Sequence, residues 1–518
     1  MNIGAFPRRA AALVLLAALL TALIPPVSAA TDGTLWSTEP INEYSMWFND
    51  HVLGLRLMVQ SDMEIDASLS GLRTVLRNRD YSIEIYEQPL NGVYFDAYVN
   101  YSNRFALGNS PDYMITGKDT VAALGSRARL LEWNRPALSR VDGDKCYYAA
   151  ADILRDDGTT LFILFKSTQP LGQPGGKYHM RVLNTLSEIP RSAAPAAFRS
   201  RVAGHPRWNV ETRRFFRERF GENAGLSWGI FEPGVPDEYS QRFRDLEGAL
   251  GFQFPILLRY SNFGQDNAAL GAMLRHAAEE RRTVELTLQT VPAPDGGNMV
   301  LDVLDGQYDD WLAEYAGTVA QSRHPVLFRL GNEMNGDWCV YSGASLCRDP
   351  ELYVRFYRYV YDIFRRNGAL ANTIWVWNPN ERSYPDYTWN HALCYYPGDT
   401  YVDVVGLTGY NNGDYYAETG EHWRSFGEIY DGLCAQYDAW FAQPLMITEF
   451  SCSSLGGDKA AWVADMLEHI GSYSRLRAAV WWDGCDFDTD GTPARPYYID
   501  DVPGVTELFR EYFSHVRR

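Results

Sequence analysis

A mostly β domain followed by an α/β domain of the (β/α)8 TIM-barrel class is the fold the sequence predicts, and three observations carry it. The first third of the chain changes polarity over short distances between turn residues and seldom holds a helical period. From about residue 223 the pattern becomes strand, loop and helix, repeated over about 300 residues, where about 250 is typical of such a barrel. No Gly-rich phosphate loop follows the first of those strands, which disfavours the rival arrangement, a doubly wound open sheet.

Taken in order, the chain opens with Arg8 and Arg9 and an apolar run from Ala10 to Ile24, ended by Pro25 and Pro26. Val27-Ser28-Ala29-Ala30 then offers small residues to a signal peptidase. The run is too short to cross a bilayer comfortably and no stop-transfer sequence follows it. Residues 1–30 are therefore expected to be a cleaved signal peptide rather than an anchor. No later segment approaches the roughly 20 apolar residues of a spanning helix. The mature chain is expected to be secreted, extracellular and without a membrane span.

Residues 31–190 form the β-rich domain, expected to be a sandwich. Ser82-Ile83-Glu84-Ile85-Tyr86 and Tyr94-Phe95-Asp96-Ala97-Tyr98-Val99 alternate in polarity and read as strands, and Thr160-Leu161-Phe162-Ile163-Leu164-Phe165 reads as a buried one. The role of the domain is open between carbohydrate binding and holding the barrel. Exposed aromatics on one sheet face would favour the first, and a buried interface the second. Residues 191–222 read as a linker, with Ala-Ala-Pro-Ala-Ala at 193–197 and a helix-compatible, Arg-rich stretch behind it. In the barrel, 223–518, the candidate strands are 226–231, 255–260, 283–289, 326–330, 373–377, 402–407, 445–449 and 478–482. Helical periods cover 268–280, 350–366 and 459–473 between them.

The formal charge of −18 would repel a polyanion on average, so nucleic acid is not expected as a partner. Aromatic residues make up 14% of the chain, a composition compatible with stacking on sugars but also with an ordinary core. The seven cysteines, in an exported protein, point to structural disulfides with at least one thiol left over in a monomer, the expected state. Cys339 and Cys347, flanking a short loop, are the first pair to join. No His cluster or zinc spacing accompanies them, so no metal is expected.

Catalytic groups of such barrels sit at the C-terminal ends of strands. Glu333 follows the candidate fourth strand and Glu449 ends the seventh, which places them facing each other across the mouth. A retaining glycosidase needs one carboxylic acid to protonate the leaving oxygen and one carboxylate to attack the anomeric carbon, about 5–5.5 Å apart. Glu333 fits the acid/base and Glu449 the nucleophile. A single Glu at a strand end is more often an ordinary ion pair; two, each within its own phrase, carry more.

Those phrases resemble glycoside hydrolase family 26, the β-mannanase family within a large clan of barrel glycosidases, over roughly residues 226–513. Glu333-Met334-Asn335-Gly336-Asp337-Trp338 resembles its acid/base phrase, and Trp375-Val376-Trp377-Asn378-Pro379-Asn380 that of its fifth strand. Tyr395-Tyr396-Pro397-Gly398-Asp399 with Gly409-Tyr410-Asn411 resembles the sixth, Ile447-Thr448-Glu449-Phe450 the nucleophile strand, and Asp305-Gly306-Gln307-Tyr308-Asp309 a turn before the fourth. The resemblance implies retaining hydrolysis of a polysaccharide without a cofactor, β-1,4-mannan first. It also implies that Tyr410 hydrogen-bonds the nucleophile.

Asn332 is a departure, because the family usually carries His directly before the acid/base. Asn-Glu is the arrangement of the wider clan, in which the amide meets the sugar 2-hydroxyl; mannose holds that hydroxyl axially. Asn332 therefore favours the runner-up substrate, a β-1,3/1,4-glucan or another cell-wall glycan. Trp338 is a candidate to stack a sugar at the cleft. Trp481 and Trp482 end the eighth strand, and period two sends one ring to the −1 site and the other into packing. Arg259 on the second strand is a candidate to hold the nucleophile's charge, or else a structural ion pair. Asp486–Gly491 mimics the start of a calcium loop, but Tyr497 stands where a bidentate Glu is needed, so an acidic turn is expected. A non-catalytic glycan-binding protein is the reading of another class, opposed by the intact Glu333 and Glu449.

Overall fold

The structure, a computed structural model, describes residues 34–108, 110–171, 177–204, 208–293 and 296–515, and the expected signal peptide lies outside them. Eight parallel strands close a barrel: β1 (Ser227–Phe231), β2 (Ile256–Asn262), β3 (Thr283–Gln289), β4 (Val326–Leu330), β5 (Thr373–Trp377), β6 (Val404–Thr408), β7 (Leu445–Phe450) and β8 (Leu476–Trp482). β8 pairs with β1 to complete the ring. Each lies within two residues of its expected bounds. Interior and helix ring take one face of every strand each, so nearly all their residues are buried and the sequences read as apolar runs. The helices start where local chemistry permits. Pro350 opens Pro350–Arg366, where its missing N–H leaves nothing unpaired, and Ser425 and Glu428 form a capping box ahead of Phe426–Trp440.

The stretch read as a linker is packed along its second half. Trp208 and the helix Val210–Phe220, N-capped by Asn209, close the N-terminal end of the barrel against Ile256, Leu327, Ile374 and Val404. Arg477 of β8 donates to the carbonyls of Gly221 and Glu222. That leaves the C-terminal mouth for chemistry.

The N-terminal domain is built from antiparallel sheets of four and seven strands. Phe48, Leu55 and Leu57 of the first share a core with Ile83, Ile85, Leu130 and Ile163 of the second. The two-residue period sends Tyr86, Leu131, Tyr148, Phe162 and Leu164 to the other face of the larger sheet, where they join the core of the barrel. That sheet is thus covered on both sides, which is why residues 160–165 are apolar throughout. The buried interface favours the scaffolding role. One element differs from expectation. Residues 94–99, read as a strand, enter the helix Phe95–Ser102, whose buried Phe95, Tyr98, Val99 and Ser102 follow the 3.6 period. Six residues of alternation fit both periods, and the packing chose the helix.

Charges stitch the interface. Lys166 Nζ lies 2.5 Å from both Glu84 and Asp349 and 3.0 Å from Glu351. Arg348 donates to Asp152 at 2.8 and 3.1 Å and to Asn103 at 2.9 Å. Arg348 and Asp349 sit in the long loop after β4, so the N-terminal sheet grips the loop that begins with the proposed acid/base. The cysteines correct the disulfide expectation: all seven are free thiols. Cys339 points at the Asn332 carbonyl at 3.7 Å while Cys347 faces Tyr113, so the expected pair looks in different directions.

Candidate active site

Beyond β4 the backbone turns sharply. Gly331 has φ +54° and Glu333 φ +57°, a left-handed conformation that is costly for a residue with a side chain. The Glu333 N–H donates to the Asn378 carbonyl at the end of β5 at 2.7 Å, which helps to hold the turn. Asn380 Nδ2 donates to Glu333 Oε1 at 2.5 Å, and Trp338 also hydrogen-bonds the carboxyl. Glu333 keeps part of its surface open to the mouth but is ringed by protein. Burial, then the negative charge of Glu449, push its pKa up to about 7, against the pull of Asn380 and Arg329.

Glu449, buried on β7, is held in the opposite way. Arg329 Nη1 donates to Oε1 at 2.6 Å and Asn332 Nδ2 at 3.1 Å. Tyr410 donates to Oε2 at 2.9 Å and Tyr260 at 2.5 Å. Two donors on each oxygen fix the carboxyl group in orientation. Arg329 is itself fully buried and lies 3.3 Å from Glu285. Burial pushes Glu285 up to about 8, so at neutral pH it carries its proton and leaves the guanidinium charge to Glu449. Asn332 is oriented from behind, since its Oδ1 accepts from Gln289 at 2.6 Å and its carbonyl from Tyr341 at 2.8 Å.

Of the residues singled out in the sequence, Glu333, Glu449, Asn332, Tyr410 and Trp338 come together here. Trp482 is the one of its pair that faces the mouth, half-buried, with its ring 6.4 Å from Tyr410 and 5.7 Å from Tyr497. Trp481 is core, packed on Phe450 and Phe509 with its indole N–H donating to the Tyr497 carbonyl at 3.0 Å. Arg259 is a correction. It pairs with Asp237 at 2.5 Å and does not hold the nucleophile, because its neighbour Tyr260 takes the inward position on β2 and strand alternation turns Arg259 away. The Asp486–Gly491 segment lies in a hairpin in which Asp486 pairs with Arg495 at 3.0 Å and Asp490 accepts from the Thr492 N–H. Among the described residues, Glu84, Asp349 and Glu351 converge as a cation would require, and the Lys166 ammonium already sits among them.

The sequence reading missed Tyr260, Arg329, Asn380 and Glu285. Two of them had a signal: Arg329 in Val-Leu-Phe-Arg-Leu and Glu285 in Thr-Val-Glu-Leu-Thr-Leu are charges inside apolar strands, which barrels bury only with partners.

The chain is 30% identical over 293 residues to Endoglucanase H of Acetivibrio thermocellus, covering 56% of this chain and 30% of that protein. It is 37% identical over 90 residues to a mannan endo-1,4-beta-mannosidase of Bacillus subtilis, covering 17% and 23% respectively. The chain thus spans less than a third of the length of either relative. A ruminal endo-β-1,4-mannanase of known structure is similar with a TM-score of 0.43 and 13% identity over 87% of this chain and 89% of that one. Residues 287–436, from β3 past β6 and including Glu333 and Tyr410, match glycosyl hydrolase family 26. What the comparison shows is therefore a match to glycosyl hydrolase family 26 over this part of the barrel.

Proposed function

We propose that this chain is an exported retaining endo-β-glycanase that hydrolyses a polysaccharide, β-1,4-mannan first, by double displacement. The observation that carries the reading is the opposite treatment of two carboxyl groups at one barrel mouth. Four donors engage both oxygens of Glu449 and fix its aim, while burial and the charge of Glu449 keep a proton on Glu333 up to about pH 7. In the first step Glu449 attacks the anomeric carbon and Glu333 gives its proton to the departing oxygen, leaving a glycosyl-enzyme. Once Glu449 is esterified its charge is gone, the Glu333 proton affinity falls with it, and Glu333 is ready to take a proton from the attacking water. Export rests on the signal-like residues 1–30.

A β-1,3/1,4-glucan is the second reading. It is favoured by Asn332, which stands where a mannanase of this family carries His, and by the 30% identity to a relative named an endoglucanase. Assay on a panel of dyed mannans, glucans and xylans, with proton NMR of the first reducing end formed, tests both. Retention yields the β anomer first from a β-linked substrate. An α anomer appearing first, or no hydrolysis of any polymer, would remove the proposal.

A further inference from the structure

Outside the catalytic pair, the described surface carries a run of half-exposed rings that crosses from one domain to the other. Trp338, 49% exposed, lies five residues after Glu333 and bonds to its carboxyl. Its ring is 5.3 Å from that of Tyr384, 44% exposed. The next residue along the run belongs to the N-terminal domain: Tyr101, 42% exposed, on the helix Phe95–Ser102. Its hydroxyl donates to Asp337, the neighbour of Trp338, at 2.9 Å, and Arg104 reaches the same carboxylate at 2.7 Å. The Arg104 guanidinium lies over the Tyr101 ring at 3.9 Å, and the Tyr387 ring stands perpendicular to it at 6.2 Å, while Tyr101 keeps 42% of its surface exposed.

We infer that Tyr101 is a sugar-stacking subsite that the N-terminal domain adds to the cleft on its leaving-group side. The occupant is the polysaccharide chain itself. Glu333 protonates the oxygen of the departing sugar, so a loop leading from Glu333 away from Glu449 flanks the sugars that leave. A ring anchored on that loop by Asp337 continues the same track. An aromatic face meets the apolar face of a pyranose, and the adjacent Arg104–Asp337 pair offers charged partners to its hydroxyls.

The inference rests on the glycanase reading above, and the test separates the two. The full chain and its Tyr101→Ala and Tyr101→Phe variants are assayed on β-1,4-mannohexaose and a mixed-linkage glucohexaose. The dinitrophenyl bioside of the matching sugar serves as comparison, since it carries no sugar on the leaving side. The ratio of kcat/KM on the hexasaccharide to that on the bioside should fall about five-fold or more in Tyr101→Ala, mainly through KM. It should stay close to wild type in Tyr101→Phe, which keeps the ring and loses only the bond to Asp337. An unchanged ratio in Tyr101→Ala would overturn the subsite, and so would equal losses in both variants, which would assign Tyr101 to loop anchoring. Wild-type protein that cleaves neither class of substrate would overturn the glycanase reading, and the subsite with it.

Discussion

Replacing Glu449 by Gln removes one charge and keeps the side-chain shape, at the cost of the acceptor for one pair of its donors, so it reports chiefly what that charge does to Glu333. At the retaining separation of about 5.5 Å and an effective dielectric constant of about 20, two unit charges interact by about 3 kcal/mol, equivalent to about two pH units. Burial and the Arg329 charge act on Glu333 in both proteins and so cancel in the comparison. The expected fall in the Glu333 pKa is therefore about two pH units from its starting point of about 7. The sign follows from the role. The first step needs the protonated acid, so the alkaline limb of wild-type activity should fall as pH rises through about 7. Glu449→Gln is inactive, so its Glu333 is followed by carbon NMR of carboxyl-labelled glutamate across a pH series. A titration unmoved from wild type would mean that burial alone raises it. The carboxyls would then stand too far apart for retention, and the nucleophile assignment would be lost.

Three further outcomes follow from the same geometry. Glu449→Ala should abolish turnover, whereas Glu333→Ala should still cleave dinitrophenyl glycosides and be rescued by azide. A β-glycosyl azide from Glu449→Ala, with no azide rescue of Glu333→Ala, would reverse the roles. Asn332→Ala removes one of the donors to Glu449 and should reduce kcat by about 10²-fold, more than it raises KM; Asn332→His should lose glucan activity without gaining more than trace mannan activity, and a better mannanase with unchanged preference would refute the significance given to Asn332. Lys166→Met leaves Glu84 and Asp349 buried without their cation and should cost about 3–5 kcal/mol in urea unfolding at neutral pH, while a loss under 1 kcal/mol would show that the interface does not depend on the pair.

The barrel was legible because each of its strands is buried on both sides, and an apolar run bounded by turns is hard to mistake when it recurs eight times. Glu333 and Glu449 were legible because they stand at strand ends, where position alone implies access to the mouth. What was not legible depended on direction. Arg259 and Tyr260 are adjacent, and a one-residue difference in the inward phase of β2 decides which of them meets the nucleophile. Trp481 and Trp482 posed the same question, and the sequence has no local feature that fixes the phase at the last turn of a strand. Residues 94–99 failed for a different reason, since their alternation is too short to separate a period of two from one of 3.6. The interface between domains was hidden altogether. Lys166, Asp349 and Arg348 look like surface charges until the partners far along the chain are in place.

The doubly covered seven-stranded sheet has a consequence for how the chain must come into being. Synthesis delivers the N-terminal domain first, with Tyr86, Leu131, Tyr148, Phe162 and Leu164 facing water until the barrel arrives. For that interval the nascent domain presents a broad apolar face, studded with the charges of the Glu84–Lys166 pair and of Asp152, which are destined for burial. Those charges keep the waiting face wetted and discourage it from sticking to another copy, much as inward-pointing charges protect an open sheet edge. Arrival of the loop after β4 brings Arg348 to Asp152 and Asp349 to Lys166 in one event, so completion of the loop that carries the proposed acid is also the moment at which the first domain is sealed. A barrel produced alone from residue 223 would lack that partner and expose the matching patch.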